Sequence, residues 1–365
     1  MAKQRTRRKI RKIRAGVIGV GNCFAGLIQG IEFYRKNPGK ELIGLMHRKI
    51  GGYQIHDVEF VSAFDVAENK IGKALHLAVS KKPNKVDWIK LPQSRVIVQE
   101  APALDGVGLY VENLINPKDN IGKVDQLREK IIKEIKKTKT NILVNYLPVG
   151  SDKATKFWAQ IALDTGCAFV NCIPSFIASD KKWEGRFRRA KLPVIGDDIK
   201  GQIGATIVHR ILAKLTADRG AKVDRTYQLN VGGNTDFLNM KEKERLQSKK
   251  ISKTESVQSQ LKERLKDKDI YVGPSDFIPF LGNTKLCFIR IEGRLFADRP
   301  FNIELRLDVD DKSNSAGIVI DCIRFAQKAL NQKKSGFQKI SCFYMKHPLY
   351  QLSDVEAWKV VEKSL

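Results

Sequence analysis

The sequence has few cysteines and histidines for its length, and none of them forms a metal or disulfide motif. The six cysteines, Cys23, Cys167, Cys172, Cys287, Cys322 and Cys342, include no CxxC pair, and the five histidines show no ligand spacing. Isolated thiols in apolar runs pack as small hydrophobic side chains. We therefore expect free cysteines, a reducing compartment and no dedicated zinc site.

The sequence also lacks a long apolar run. No segment approaches the roughly 18 apolar residues that a membrane helix needs. The basic residues 1–12 are not followed by a signal-type apolar segment with a cleavage site. We expect no membrane association and a cytoplasmic location.

Positive charge is in excess. Lysine and arginine number 66 against 40 acidic residues, so the formal net charge is +26. This excess raises nucleic-acid binding as a function class. However, the charge is spread along the chain, and the aromatic residues (8%) are not interleaved with the basic runs, as base stacking would require. We interpret it as surface charge suited to anionic partners, with no nucleic acid expected.

A strand, a glycine turn and a helix are predicted near the N-terminus, over residues 13–20, 19–26 and up to about Phe33. Gly19 and Gly21 allow a tight turn and the close approach of a pyrophosphate to the helix N-terminus. Phe24 stands where the usual fingerprint has its third glycine. The next predicted strand ends at Asp65, which could accept hydrogen bonds from a ribose diol. The alternative is a plain glycine turn of an α/β domain.

Strand and helix patterns then alternate up to about residue 195, with strands predicted at 95–98, 142–146, 168–171 and 193–195. The alternation predicts an α/β fold with a Rossmann-like, doubly wound parallel sheet. Polar turns follow the strands at 145–151 and 171–175. They lie at the carboxyl edge, where such sheets bind ligands. Residues 286–293 and 301–309 predict paired antiparallel strands in an inserted α+β region.

Residues 230–253 join small, amide and acidic residues to a lysine cluster. The polar positions are Asn230, Asn234, Asp236 and Asn239. On a helix, Lys249 and Lys253 would share one face at i and i+4. Two such ammonium groups lower each other's pKa and suit anionic substrates. The alternative is a solvated basic face, which the high lysine content favours. We expect an exposed helix to continue to Asp269, followed by a turn-rich loop over residues 272–285.

Two pairs of adjacent carboxylates lie elsewhere in the chain. Asp197 and Asp198 precede a glycine-rich helix start, and such neighbours are costly unless donors or a cation hold them. Asp310 and Asp311 precede serines that can cap the apolar helix running to Leu330. Either member of the second pair could face inward.

Several sequence blocks point to a known family. They are residues 196–206 (GDDIKGQIGAT), 229–239 (LNVGGNTDFLN), 248–253 (SKKISK), 272–276 (VGPSD) and 314–317 (NSAG). In order and over nearly the whole chain, they resemble the shorter prokaryotic and archaeal form of inositol-3-phosphate synthase, also called myo-inositol-1-phosphate synthase.

The resemblance implies an isomerase that converts D-glucose 6-phosphate into 1D-myo-inositol 3-phosphate, the first step of inositol and inositol phospholipid biosynthesis. NAD would oxidise C5, enolisation at C6 would allow aldol attack on C1, and NADH would reduce C5 again. The resemblance also implies a homotetramer. It leaves open whether a monovalent or divalent cation binds near the cofactor. We expect residues 1–198 to be the NAD-binding domain, 199–314 the catalytic and tetramerisation domain, and 315–365 a segment returning to the first.

The resemblance also implies the site residues. The catalytic set is Lys249, Lys253, Lys285, Lys346, Asp198 and Asp311; substrate contacts are Asn234, Asp236 and Asn239; cofactor contacts are Gly19, Gly21, Asn22, Asp65 and Ser151. Lys249 and Lys346 would act around the C5 oxygen. Lys253 and Lys285 would act on the C1 oxygen, enolate and phosphate, while the two aspartates orient lysines. Lys250 is expected to be dispensable.

Overall fold

The computed structural model describes residues 12–120 and 122–365. Its strands are β1 (Ile13–Ile18), β2 (Val58–Asp65), β3 (Val98–Glu100), β4 (Ile142–Asn145), β5 (Ala168–Asn171), β6 (Pro193–Ile195), β7 (Lys222–Gly232), β8 (Ile270–Phe277), β9 (Thr284–Arg294), β10 (Pro300–Asp310) and β11 (Gly336–Phe337). Its helices are α1 (Asn22–Lys36), α2 (Leu75–Ala78), α3 (Glu112–Ile115), α4 (Val124–Lys137), α5 (Asp152–Thr165), α6 (Lys181–Arg189), α7 (Ala205–Asp218), α8 (Thr235–Asn239), α9 (Gln247–Gln258), α10 (Ser313–Asn331), α11 (Ser341–Tyr344) and α12 (Asp354–Lys363).

The larger sheet of the described chain is parallel, with the order β11-β6-β5-β4-β1-β2-β3. Its central strands are apolar on both faces because helices cover both. On β4, for example, Ile142 and Val144 pack into the core on the α1 and α10 side, whereas Leu143 packs on the other side with Trp158 of α5. Strands buried on both faces are typical of doubly wound sheets. The predicted Rossmann-like fold is confirmed.

The end of the chain returns to this sheet. β11 pairs with β6, and α10 packs against α1, β5 and β6. The strand order therefore places the C-terminal residues beside the middle of the chain. The exact domain boundaries stay a prediction.

The smaller sheet has the order β10-β9-β7-β8, and α7 and α9 pack on it. β9 is antiparallel to both β7 and β10, so the predicted antiparallel pair is confirmed. The prediction of a loop over residues 272–285 is wrong for the first part of this segment. Residues 270–277 form β8, parallel to β7 at the edge of the sheet. Proline is tolerated on an edge strand, and buried Ile270 and Val272 pack with Val257 of α9.

The helix predicted to reach Asp269 ends at Gln258. The Gln258 side chain bonds both the backbone N–H and the carbonyl of Leu265, at 3.0 and 2.9 Å. These bonds close a compact loop that brings the chain directly into β8. Within residues 12–120 and 122–365, no helix has both the length and the apolarity needed to cross a membrane.

Candidate active site

A cavity of about 260 Å³ is lined by residues of both sheets and their connections. Residues of the set predicted from the sequence that line it are Gly19, Gly21, Asn22, Asp65, Asp198, Asp236, Asn239, Lys249, Lys253, Lys285, Asp311 and Lys346. Asn234 and Ser151 do not line it. The fold therefore brings together residues from separate parts of the chain, and their individual roles stay predictions.

The glycine turn forms one wall of the cavity. Gly19 has φ +89°, and a Cβ there would lie 2.9 Å from the Tyr146 carbonyl oxygen. A Cβ on Gly21 would meet no atom within 4 Å. α1 starts at the next residue, Asn22, whose Oδ1 accepts from the Lys85 N–H at 2.7 Å and whose buried Nδ2 has no partner in the described chain. An open helix N-terminus with a spare donor suits a pyrophosphate.

Asp65 holds this turn in place. Its Oδ2 accepts from the Val20 N–H at 2.7 Å, and its Oδ1 accepts from the Val66 and Ala67 N–H groups at 2.8 Å. Lys70, which the sequence did not single out, donates to the Val20 carbonyl at 2.9 Å and lies 3.9 Å from the Asp65 carboxylate. Asp65 therefore orders the glycine turn as well as lining the cavity.

Ser151 has a local role instead. It is fully buried at the start of α5, and its hydroxyl donates to the Pro148 carbonyl at 2.6 Å. This bond shapes the loop that follows β4, and residues 146–149 of that loop line the cavity. An influence of Ser151 on a cofactor would thus act through this loop.

Asp198 and Lys346 form a buried ion pair at 2.6 Å. Their segments are joined by the backbone, since the Lys346 N–H donates to the Asp198 carbonyl at 2.7 Å. The other carboxylate oxygen of Asp198 accepts from the Ser252 hydroxyl of α9 at 2.6 Å. Burial would raise the pKa of Asp198, but Lys346 and Lys249 more than offset this, so its pKa is lowered and it stays ionised.

Asp197 points away from the cavity. Its carboxylate accepts from the Asn171 amide at 2.7 Å, the Ile177 N–H at 2.9 Å and the Ser179 hydroxyl at 2.8 Å. Burial raises its pKa to about 6, although these hydrogen bonds act against the rise. Of the adjacent pair, Asp197 is held by neutral donors and Asp198 by a cation.

The second pair divides in a similar way. Asp310 is exposed and accepts from the Ser313 N–H at the start of α10 at 2.7 Å. Asp311 lies 3.5 Å from Lys285 and 2.9 Å from Lys312. Burial would raise the pKa of Asp311, but these two ammonium groups lower it. Asp311 is therefore the inward carboxylate.

The predicted substrate residues sit on or beside α8. Asn234 caps this helix by accepting from the Asp236 N–H at 3.0 Å, and its amide donates to Asp311 at 3.2 Å. Asp236 pairs with Lys249 at 3.3 Å. Asn239 donates to the Val149 carbonyl at 3.0 Å, and its buried Oδ1 has no partner in the described chain. Asn234 thus supports the acidic groups, whereas Asp236 and Asn239 face the cavity.

α9 presents two lysines on one face, as its spacing predicts. Lys249 and Lys253 are buried, and Lys250 between them is exposed. Burial lowers the pKa of Lys253 well below its ordinary value, and Lys285, Lys249 and Lys346 lower it further against a weaker opposing effect of Asp198. Unlike the other three predicted catalytic lysines, Lys253 has no carboxylate within ion-pair distance in the described chain. Its neutral amine is therefore favoured, which suits proton transfer.

Sequence reasoning missed two further residues of this centre. Ser252 contacts Asp198, and Lys312 contacts Asp311. Ser252 lies three positions after Lys249 on the same helix, so the i, i+3 spacing was a usable signal. Lys312 directly follows a predicted catalytic residue, but only the packing of α10 shows its direction.

The chain is similar to known inositol phosphate synthases. The family profile described as Myo-inositol-1-phosphate synthase matches residues 204–312. The inositol-3-phosphate synthase of Mycobacterium tuberculosis is 47% identical over 94% of this chain and 93% of its own length. The enzyme of the same name from Corynebacterium glutamicum is 45% identical, over 94% and 95%. A crystal structure of a myo-inositol-1-phosphate synthase-related protein from Thermotoga maritima shares the fold, with a TM-score of 0.81, 24% identity and coverage of 96% and 98%.

The two glycines of the turn are expected to respond differently to alanine. Gly19→Ala should lower the free energy of unfolding by about 1–3 kcal/mol, because its positive φ and the Tyr146 carbonyl both oppose a Cβ. Gly21→Ala should cost less than about 1 kcal/mol, yet weaken NAD binding roughly tenfold or more because its Cβ enters the cavity. Urea denaturation and NAD titration measure the two effects. Equal NAD affinity of Gly21→Ala and wild type would contradict this location of the cofactor.

Lys253→Met is expected to stabilise the protein at neutral pH. Because the pKa of Lys253 is lowered by folding, the unfolded state binds more protons than the folded state between the folded pKa and the unfolded pKa of about 10.4. The variant should gain about 1–3 kcal/mol at pH 7, and this difference should shrink as the pH rises toward 10. Urea denaturation at several pH values tests it, with Lys250→Met as the exposed control. A variant less stable than wild type at pH 7 would show that the buried amine is not a source of instability.

Proposed function

The chain belongs to the inositol-3-phosphate synthase family, which converts glucose 6-phosphate to inositol phosphate, and we propose that the cavity described above is where this chain carries out the reaction. The observation that carries the proposal is the meeting of Lys249, Lys253, Lys285 and Lys346 in one cavity beside the glycine turn. Each step of the reaction develops negative charge on an oxygen atom, and buried ammonium groups stabilise such charge strongly.

The cofactor of this family is NAD, and the residues present fit it. Gly21 leaves room for a phosphate, α1 offers its open N-terminus, and Asn22 offers a donor that is unpaired among the residues the structure describes. Asp65 holds the glycine turn by accepting a hydrogen bond from the Val20 N–H. When bound, NAD supplies the acceptor for the C5 hydride and later returns it, so the reaction has no net redox change.

The lysines supply the proton transfers. Lys249 and Lys346 act at the C5 oxygen: the neutral amine of one takes the hydroxyl proton when the ketone forms and returns it when the ketone is reduced, while the ammonium group of the other stabilises the oxygen. Both are oriented by carboxylates, Asp236 and Asp198 respectively. The carboxylate beside each lysine stabilises the ammonium group that exists when the lysine carries the proton.

Lys253 and Lys285 act in the ring-closing step. The neutral amine of Lys253 removes the proton from C6, which the neighbouring ketone acidifies, and the enolate then attacks C1. The Lys253 ammonium group formed in this way donates its proton to the C1 oxygen as the new carbon–carbon bond forms, which regenerates the neutral amine. Lys285, held by Asp311, stabilises the enolate and binds the substrate phosphate.

A further metal ion does not fit the groups present. In the described part of the chain, no group of three or more histidine, cysteine, aspartate or glutamate residues is arranged to hold one. Asp236 and Asp311 reach the cavity, but ammonium groups already lie 3.3 and 2.9 Å from them. We assign no step to a bound cation.

We further propose a homotetramer that forms through the smaller sheet. α7 covers the face of this sheet that bears Cys287, Ile289 and Ile291. The opposite face exposes Tyr227 (37%), Tyr271 (46%) and Phe288 (38%). Tyr227 pairs directly with Tyr271, and Phe288 lies on the same face of neighbouring β9. An aromatic sheet face of this kind suits self-association.

The unpaired cysteines support a reducing cytoplasmic location.

Glucose 6-phosphate incubated with catalytic NAD should yield a cyclitol phosphate without accumulation of NADH. Lys249→Ala should lower kcat at least about a hundredfold, because a group that transfers the proton of the C5 oxygen or stabilises its charge is lost. The product is followed by chromatography and phosphorus NMR, and NADH by absorbance. Lys250→Ala, an exposed neighbour on the same helix, is the matched control and should keep wild-type activity.

Two outcomes would contradict the proposal. Stoichiometric NADH would indicate an ordinary sugar phosphate dehydrogenase. A folded Lys249→Ala variant with near-normal turnover would remove this lysine from the reaction.

Tyr227→Glu should dissociate the tetramer, because it places a charge in an aromatic interface. Light scattering coupled to size-exclusion chromatography measures the mass. Ile43→Glu, at an exposed apolar position outside both sheets, is the control and should leave the mass unchanged. An unchanged mass for Tyr227→Glu would exclude this face as the interface.

A further inference from the structure

We propose that the ammonium group of Lys312 acts as a built-in cation of the site. It lies between Asp311 and the glycine turn, where it makes an added metal or alkali ion unnecessary. The inference rests on the proposed function and concerns a residue outside the predicted catalytic set.

The position of Lys312 is set by packing. It is the second of the two residues between β10 and α10, and only 2% of its surface is exposed. Its Cβ lies 3.3 Å from the place that a Cβ on Gly26 would occupy, so α1 packs directly on the stem of the side chain. The ammonium group is therefore held at one place, and its distance from α1 cannot vary freely.

The ammonium group has partners on both sides of the cavity. Its Nζ lies 2.9 Å from Asp311 Oδ2 on the substrate side and 3.6 Å from Cys23 Sγ on the cofactor side. Cys23 is the second residue of α1, immediately beyond the glycine turn. A positive charge here adds to the anion-attracting N-terminus of α1.

The charge on Lys312 is permanent. Burial acts to lower the pKa of Lys312, but Asp311, Cys23 and Asp236 raise it above its ordinary value. Asp236 and Asp311 both have pKa values lowered by lysine charges against the effect of burial. Without the Lys312 ammonium group, the two ionised carboxylates would attract a metal or alkali ion. The Lys312 ammonium group already supplies that positive charge.

The experiment compares wild type with Lys312→Ser and Lys312→Met after chelation, in buffers whose only cation is tetramethylammonium. Wild type should keep its full turnover and NAD affinity, and added K⁺, NH₄⁺ or Mg²⁺ should change neither. Lys312→Ser should bind NAD roughly tenfold or more weakly, and a small cation should restore the affinity because serine leaves space for it. Lys312→Met should lose the same affinity without recovery, because methionine fills the space without charge.

Lys250→Ser is the control for the loss of one positive charge and should match wild type. A wild-type enzyme that needs an added cation would overturn the inference, as would a Lys312→Ser variant with wild-type NAD affinity. NAD affinity, read by isothermal titration, does not depend on turnover. If no variant forms inositol phosphate but NAD binding follows Lys312 as described, the proposed function fails while this inference stands. If turnover is normal but the Lys312 variants bind NAD as tightly as wild type does, the proposed function stands while this inference fails.

Discussion

The site depends on burying several ammonium groups together without unfolding the protein. An isolated buried charge is expensive, and removal of one member of a buried ion pair is strongly destabilising. The protein meets this constraint with three carboxylates: Asp198 for Lys346, Asp236 for Lys249, and Asp311 for Lys285 together with Lys312. The acidic residues are therefore required by the lysines, whatever else they do in the reaction.

Lys253 is the exception among these lysines, because it has no carboxylate within ion-pair distance in the described chain. Its neighbours are mostly cations, and burial together with their charge lowers its pKa well below the ordinary value. Burial and these charges favour the neutral amine of Lys253, which is the form of a lysine that can accept a proton. The three carboxylates pair with the other lysines and leave Lys253 without a counterion at ion-pair distance in the part of the chain that the structure describes.

This charge network is assembled by chain segments that are distant in sequence. β11 pairs with β6, and the N–H groups of Lys346 and His347 bond the carbonyls of Asp198 and Asp197. These contacts place Lys346 against Asp198, which follows β6, the strand next to the edge of the parallel sheet. β9 and α9 bring the remaining lysines from the smaller sheet. Loss of the C-terminal contacts would therefore separate Lys346 from its counterion.

The sequence alone determined the parallel sheet, the glycine turn and the helical spacing of Lys249 and Lys253, since local hydrophobic period and residue type dictate these features. It did not determine β8, whose glycine and proline are acceptable only at an edge beside β7. Nor did it decide between Asp310 and Asp311, or reveal Lys312, because the direction of a side chain at the junction of a strand and a helix depends on the packing of α10 against α1. Charge partners separated by many residues are decided only by the tertiary structure.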